Sequence, residues 1–217
     1  MDLAVKLFQM AFYLTASTVA ILTFIKAKNG LLNSVNTEYQ KKVMERLSQL
    51  SEELWEEFDY SSEKHWSNDK NLKDTLDDIH EYAINNKHEI LTKKTGFHGI
   101  PMPKKQIELM ALKEKLKSDP FVPNEIRNKL VSILDNRVSS MFEAYHSVIG
   151  EYQKEIENGE HWDKFDDNHG WIHNKVVSVM RKNGAGITDL ENAAHEVRLE
   201  VQKYYNQFNP LKKLTSH

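Results

Sequence analysis

Cysteine is absent from the 217-residue chain. That excludes disulfides, cysteine-ligated zinc and thiol catalysis. Glycine and proline are scarce, at 8 and 5 residues, which counts against a turn-rich all-β architecture and favours long helices. A basic excess is missing as well. The formal net charge is −3, with no run of five or six like charges, and this argues against a nucleic-acid partner. Catalytic signatures are missing in the same way. There is no G-x-x-x-x-G-K-S/T phosphate loop, no G-x-G-x-x-G and no G-x-S-x-G. His80, His88 and His195 each precede a glutamate, but none extends to H-E-x-x-H, so a zincin protease is unsupported. Arg46, Arg127, Arg137, Arg181 and Arg198 all lack the histidine four to six residues later that many helical ribonucleases carry. Asn183-Gly184-Ala185-Gly186 holds a lone G-x-G between helices and suits a helix C-cap better than a phosphate cradle.

What is present is hydrophobic and helical. Apolar residues make up 40% and charged residues 28%, a balance that buries a core and argues against disorder. The segment Leu7–Ile25 carries no charge and has about the length needed to cross a bilayer core as a helix. A cleaved signal peptide would want a positive start and small residues at a cleavage site. Here the start is MDLAVK and the segment ends in Lys26-Ala27-Lys28. The expectation is a single transmembrane helix, residues 1–29 as anchor, with 30–217 as a cytoplasmic helical domain. Lys26, Lys28, Lys41 and Lys42 follow the span, which puts the N-terminus outside and the domain inside a bacterial-type inner membrane. Gln9, Ala16, Ala20 and Thr23 of the span share one narrow face with Ala27, which follows the span. That small-residue stripe predicts self-association into a homo-oligomer.

Beyond the anchor the apolar spacing predicts an antiparallel bundle of about six helices. Val35, Tyr39, Val43, Leu47, Leu50, Leu54 and Phe58 form one stripe, read either as bundle packing or as a short coiled coil between copies. Gly30 is the one hinge signal before it. Further helices are expected over about Asp69–Lys93 with Asn68 as cap, over Lys104–Lys117, and from Pro123 to Gly159. Two more are expected from near Trp171 to Lys182, and from a T-x-x-E capping box at Thr188 and Glu191 to a stop at Asn209-Pro210. No segment alternates as a strand would.

Chemistry concentrates between Glu160 and His173, where three His, three Asp and two Trp fall within 14 positions. His169 and His173 are four residues apart, a spacing that a metal can bridge on one helix face, and His161 could complete the site. The competing reading is a polar, helix-capping loop, and it is the favoured one. A carboxylate-bridged metal pair would need Glu-x-x-His on two helices. Glu143-Ala144-Tyr145-His146 supplies one, and Asp77-Asp78-Ile79-His80 is a loose second. That match is poor. The loop Thr95–Pro103 presents Phe97, Ile100 and Met102 either to a protein partner or tucked under the bundle.

The expected function is therefore a membrane-anchored interaction or scaffold protein, self-associating, with the lipid bilayer as one partner and a protein as a further one. No cofactor is expected and no catalytic residue is assigned. Two alternatives remain open: an oligomeric membrane effector of pore-forming or antiviral type, and a metal-dependent enzyme built on His161, His169 and His173. The plan of one N-terminal span and a helical domain resembles that of many small bacterial membrane proteins, including effectors of antiviral systems. The resemblance is in layout, with no residue carried over.

Overall fold

The computed structural model describes residues 2–163 and 165–208, and side chains except those of 2–12 and 166. Among the described residues the chain is all-α, with seven helices and no strand. They are α1 (Asp2–Trp55), α2 (Asn71–Asn85), α3 (Lys87–Leu91), α4 (Lys104–Lys117), α5 (Asn124–Glu157), α6 (Phe165–Lys182) and α7 (Ile187–Gln207). Two compact units divide the chain, Met1–Arg46 and Leu47–His217.

The described residues of the first unit are helical throughout. Helix α1 runs unbroken for 54 residues, so the hinge expected at Gly30 is absent. A glycine in a helix interior costs about 1 kcal/mol relative to alanine, and the lysines, leucines and alanines around Gly30 are good helix formers. Among the described residues no helix is long and apolar enough to cross a membrane. Residues 7–12 of the expected span, Gln9 included, lie outside the described side chains. Val35 and Tyr39, the first members of the predicted stripe, are exposed.

In the second unit α5 is the central element. Its 34 residues reach about 50 Å at 1.5 Å rise each. Leu130, Leu134, Val138, Met141, Tyr145, Val148, Tyr152 and Ile156 are all buried, a run of three- and four-residue steps down one side. Helices α4, α6 and α7 pack on α5, and α2 packs on α6. Leu47 and Leu50, from the end of α1, are buried in this unit, and the Arg198 guanidinium lies 4.6 Å above the Trp55 ring.

Several boundaries differ from the sequence expectation for identifiable reasons. The helix expected over Asp69–Lys93 breaks at Asn85-Asn86, where the Asn86 side-chain amide donates to the Tyr82 carbonyl within the last turn of α2. Asn68 caps nothing; it sits in a short 3₁₀ turn, and Asp69 instead accepts from the Asn71 amide. Helix α6 begins at Phe165, six residues before Trp171, and runs through Gly170. Thr188 is not the cap of α7: Gly186 precedes the first turn, and its amide donates to Asp189 Oδ2 at 3.1 Å. The expected stop at Asn209-Pro210 lies outside the described residues.

Candidate functional site

Two side chains of α2 and one of α6 meet where these helices pack. Asp77 and His80 are three residues apart and so share a face of α2. His169 comes from the second turn of α6, and its Nε2 lies 3.4 Å from Asp77 Oδ1. The rings of His80 and His169 are 5.5 Å apart. One ligand-type atom from each of Asp77, His80 and His169 lies within 4.8 Å of the others, and this is the one such cluster among the described residues. Asp77 is exposed, His169 half-buried and His80 buried.

His80 is held from two sides. Phe165 stacks on its ring at 4.4 Å with 15° between the planes. Behind it, His80 Nε2 is 2.8 Å from the Tyr152 hydroxyl. That oxygen also accepts from the Asn168 amide at 3.0 Å, and Asn168 Oδ1 in turn accepts from Trp171 Nε1 at 3.1 Å. Tyr152, His80 and Asn168 are all buried, so each bond satisfies a group that water cannot reach. Burial pushes the Tyr152 phenol up to about 12, partly offset by the Asn168 hydrogen bond. The phenol keeps its proton at neutral pH.

The cluster opens onto a cleft of about 660 Å³ lined by Asp77, His80, Glu81, Ile84, Asn85, Trp162, Asp163, Phe165 and Asp167. Three carboxylates besides Asp77 stand on this lining. Their negative potential suits a cation and opposes an anion.

The three histidines singled out in the sequence are not gathered together. His169 lies in the cluster just described. His161 has a positive φ of 64° and places its Nε2 2.8 Å from Glu155 Oε2. His173, one turn after His169, is exposed and lines a different cavity of about 690 Å³ with Tyr145, Met141, Val176, Met180, Glu57 and Arg137. Glu57 and Arg137 form a bidentate ion pair there, and Lys105 Nζ stands 3.4 Å from Glu57. Burial raises the Glu57 carboxyl, but the hydrogen bonds and charge of Arg137, with Lys105 behind them, outweigh it and leave the group below its ordinary value.

In the sequence, Asp77 and His80 together form half of a poor di-metal match. Glu143-x-x-His146, the other half, is elsewhere: Glu143 accepts from the Asn183 amide and His146 stacks on Phe142. The Thr95–Pro103 loop is tucked in part. Phe97 and Ile100 pack against the core, tied down by Phe97 N–H to Glu157 and by the Gln153 amide to the Gly99 carbonyl, while Met102 is exposed.

Comparison of the chain with protein-family models, with curated proteins and with solved structures finds no match.

Proposed function

We propose that this chain is a single-pass membrane protein that holds a helical interaction domain at the cytoplasmic face, and that it acts as a self-associating scaffold. The observation carrying the reading is the surface of α1 between residues 13 and 25. Tyr13, Leu14, Val19, Ile21, Leu22, Phe24 and Ile25 are all exposed along an uninterrupted helix. At about 100° per residue these side chains sweep roughly two-thirds of the circumference. A helix apolar around most of its girth is stable only when something apolar surrounds it.

Two further features fit lipid as that surrounding. Thr18 donates its hydroxyl to the Leu14 carbonyl at 2.8 Å, which satisfies the polar group within the helix itself. Continuing the segment back through Leu7-Phe8-Gln9-Met10-Ala11-Phe12 gives 19 uncharged residues, about 28 Å of helix against a bilayer core of about 30 Å. The lysines that follow set the domain on the inner side. On the domain, Met102, Ile107 and Met110 are exposed, the last two one turn apart on α4. They provide an apolar contact for a protein partner.

The test is a pair of reporter fusions after His217 combined with carbonate washing of membranes. The reading expects activity from a cytoplasmic reporter only, and retention in the washed membrane pellet. Release by carbonate would overturn the anchor. An active periplasmic reporter would overturn the orientation.

A further inference from the structure

We infer that Asp77, His80 and His169 bind a divalent first-row transition metal of the zinc or iron(II) class, with at least one coordination position open to the adjoining cleft. The donor set selects the ion. Two imidazoles and one carboxylate suit zinc and iron, whereas magnesium and calcium want oxygen alone. Three protein ligands with a vacant position is the arrangement of sites that bind water or a substrate as well as the metal.

Four observations converge on this cluster. The first is proximity across the fold, since α2 and α6 bring all three donors within 4.8 Å of one another. Metal bonds of about 2.1 Å in a tetrahedron would draw them to about 3.4 Å. Asp77 and His169 can make that adjustment, because they are the exposed and half-buried members, while His80 stays fixed. The second is an unsatisfied atom. His169 Nε2 is shielded from solvent and has no hydrogen-bond partner among the described residues, although it lies 3.4 Å from Asp77 Oδ1. A buried nitrogen without a partner costs free energy that a metal bond would recover. The third is the support behind His80. The Tyr152 hydroxyl holds one ring nitrogen and is itself fixed by Asn168 and Trp171. Ligating histidines are oriented in this way, with one nitrogen on the ion and the other held by an outer partner. The fourth is access: the cleft lined by Glu81, Asp163 and Asp167 gives a cation a path in and a favourable potential on the way.

The inference is independent of the membrane reading and is tested on the full chain in mild detergent. Chelator-treated protein is titrated with cobalt(II), whose visible d–d absorption reports its coordination, and then with zinc(II) in competition by calorimetry. One cobalt per chain is expected, displaced by zinc. Asp77→Asn and His169→Gln should each weaken binding by at least about tenfold. Their metal-free helicity and melting should match the parent. Asp77 is exposed, so its variant keeps the test decisive even if His80→Ala fails to fold. His161→Ala and His173→Ala should bind cobalt as the parent does. Absence of one-to-one binding in the parent would overturn the proposal. Parent-like binding by folded Asp77→Asn and His169→Gln would overturn it too, as would loss of binding confined to the His161 and His173 variants.

Discussion

The Tyr152 hydroxyl lies 2.8 Å from His80 Nε2, joining the C-terminal part of the long central helix to α2 across 72 positions of sequence. The same oxygen accepts from Asn168 on α6, so three helices share one buried polar atom. Replacing Tyr152 by Phe keeps the ring and removes only that atom. His80 and Asn168 would then each lose a partner in a place water does not reach. The expected loss is about 1–3 kcal/mol per group left unsatisfied. Urea denaturation of the variant, followed by circular dichroism, measures it. An unchanged midpoint would mean that the network contributes nothing to stability.

The Glu57–Arg137 pair predicts a pH dependence of definite sign. The Arg137 guanidinium, with Lys105 behind it, holds the Glu57 carboxyl below its ordinary value of about 4.5, so the native protein binds the proton less readily than the unfolded chain. The stabilisation is fully present above about 4.5 and is lost as pH falls through the lower, folded value. Glu57→Gln should cost up to about 3 kcal/mol at neutral pH, because Arg137, whose side chain is only 12% exposed, is left without its counter-charge. The variant should also lose stability less steeply than the parent below pH about 4.5. Denaturation midpoints across that range, for both proteins, check the two claims together. Parallel curves would show that another carboxylate carries the acid sensitivity.

Local periodicity was readable because it needs no knowledge of partners. The steps from Ile126 through Leu130, Ile133, Val138, Met141, Tyr145, Val148 and Tyr152 to Ile156 mark the buried side of α5, and the structure buries all of them except Ile133, which is half-buried beside the buried Leu134. Ile79 and Ala83 behave likewise on α2. His80 did not follow from that reasoning. It stands next to Ile79 and would face water if α2 had one buried side, but α6 covers a second side with Phe165 and His169. Which helix lies over which face is a long-range fact, invisible to spacing along one segment. The pairing of His169 with His173 failed to anticipate Asp77 for the same reason, since a spacing of four residues reports neighbours on one helix only. Helix ends depart from the apolar spacing where a side chain competes for the backbone, as Asn86 does at the end of α2.

The start of α7 gives a contrast between two neighbouring residues. Asp189 Oδ2 accepts the Gly186 amide, while Thr188, the expected cap, makes no such bond. Asp189→Ala should therefore cost about 1 kcal/mol, the usual value of a helix-end side-chain bond, aided by its favourable position at the positive end of the helix. Thr188→Ala should stay within about 0.5 kcal/mol of the parent. Thermal melts of the two single variants decide it. A larger loss from Thr188→Ala would restore the T-x-x-E reading.

The proposed self-association depends on one sector of α1. Taking Leu14 as zero and about 100° per residue, the exposed bulky side chains from Tyr13 to Ile25 leave open a sector of roughly 120°. Ala16, Ala20, Thr23 and Ala27 fall within it, and so does the position of Gln9, whose side chain is outside the described residues. In lipid, bulky side chains gain nothing by leaving acyl chains for another helix. Small residues that let two backbones approach closely do, and Ala16 with Ala20 forms such a pair one turn apart. Single cysteines at Ala16 or Ala20 should cross-link between chains in membranes, and cysteines at Leu14 or Leu22 should not. Ala20→Leu should shift the detergent-solubilised protein toward monomer, as read by light scattering with the detergent mass subtracted. Uniform cross-linking around the helix, or a monomeric parent in several mild detergents, would leave α1 as an anchor without a dimer face.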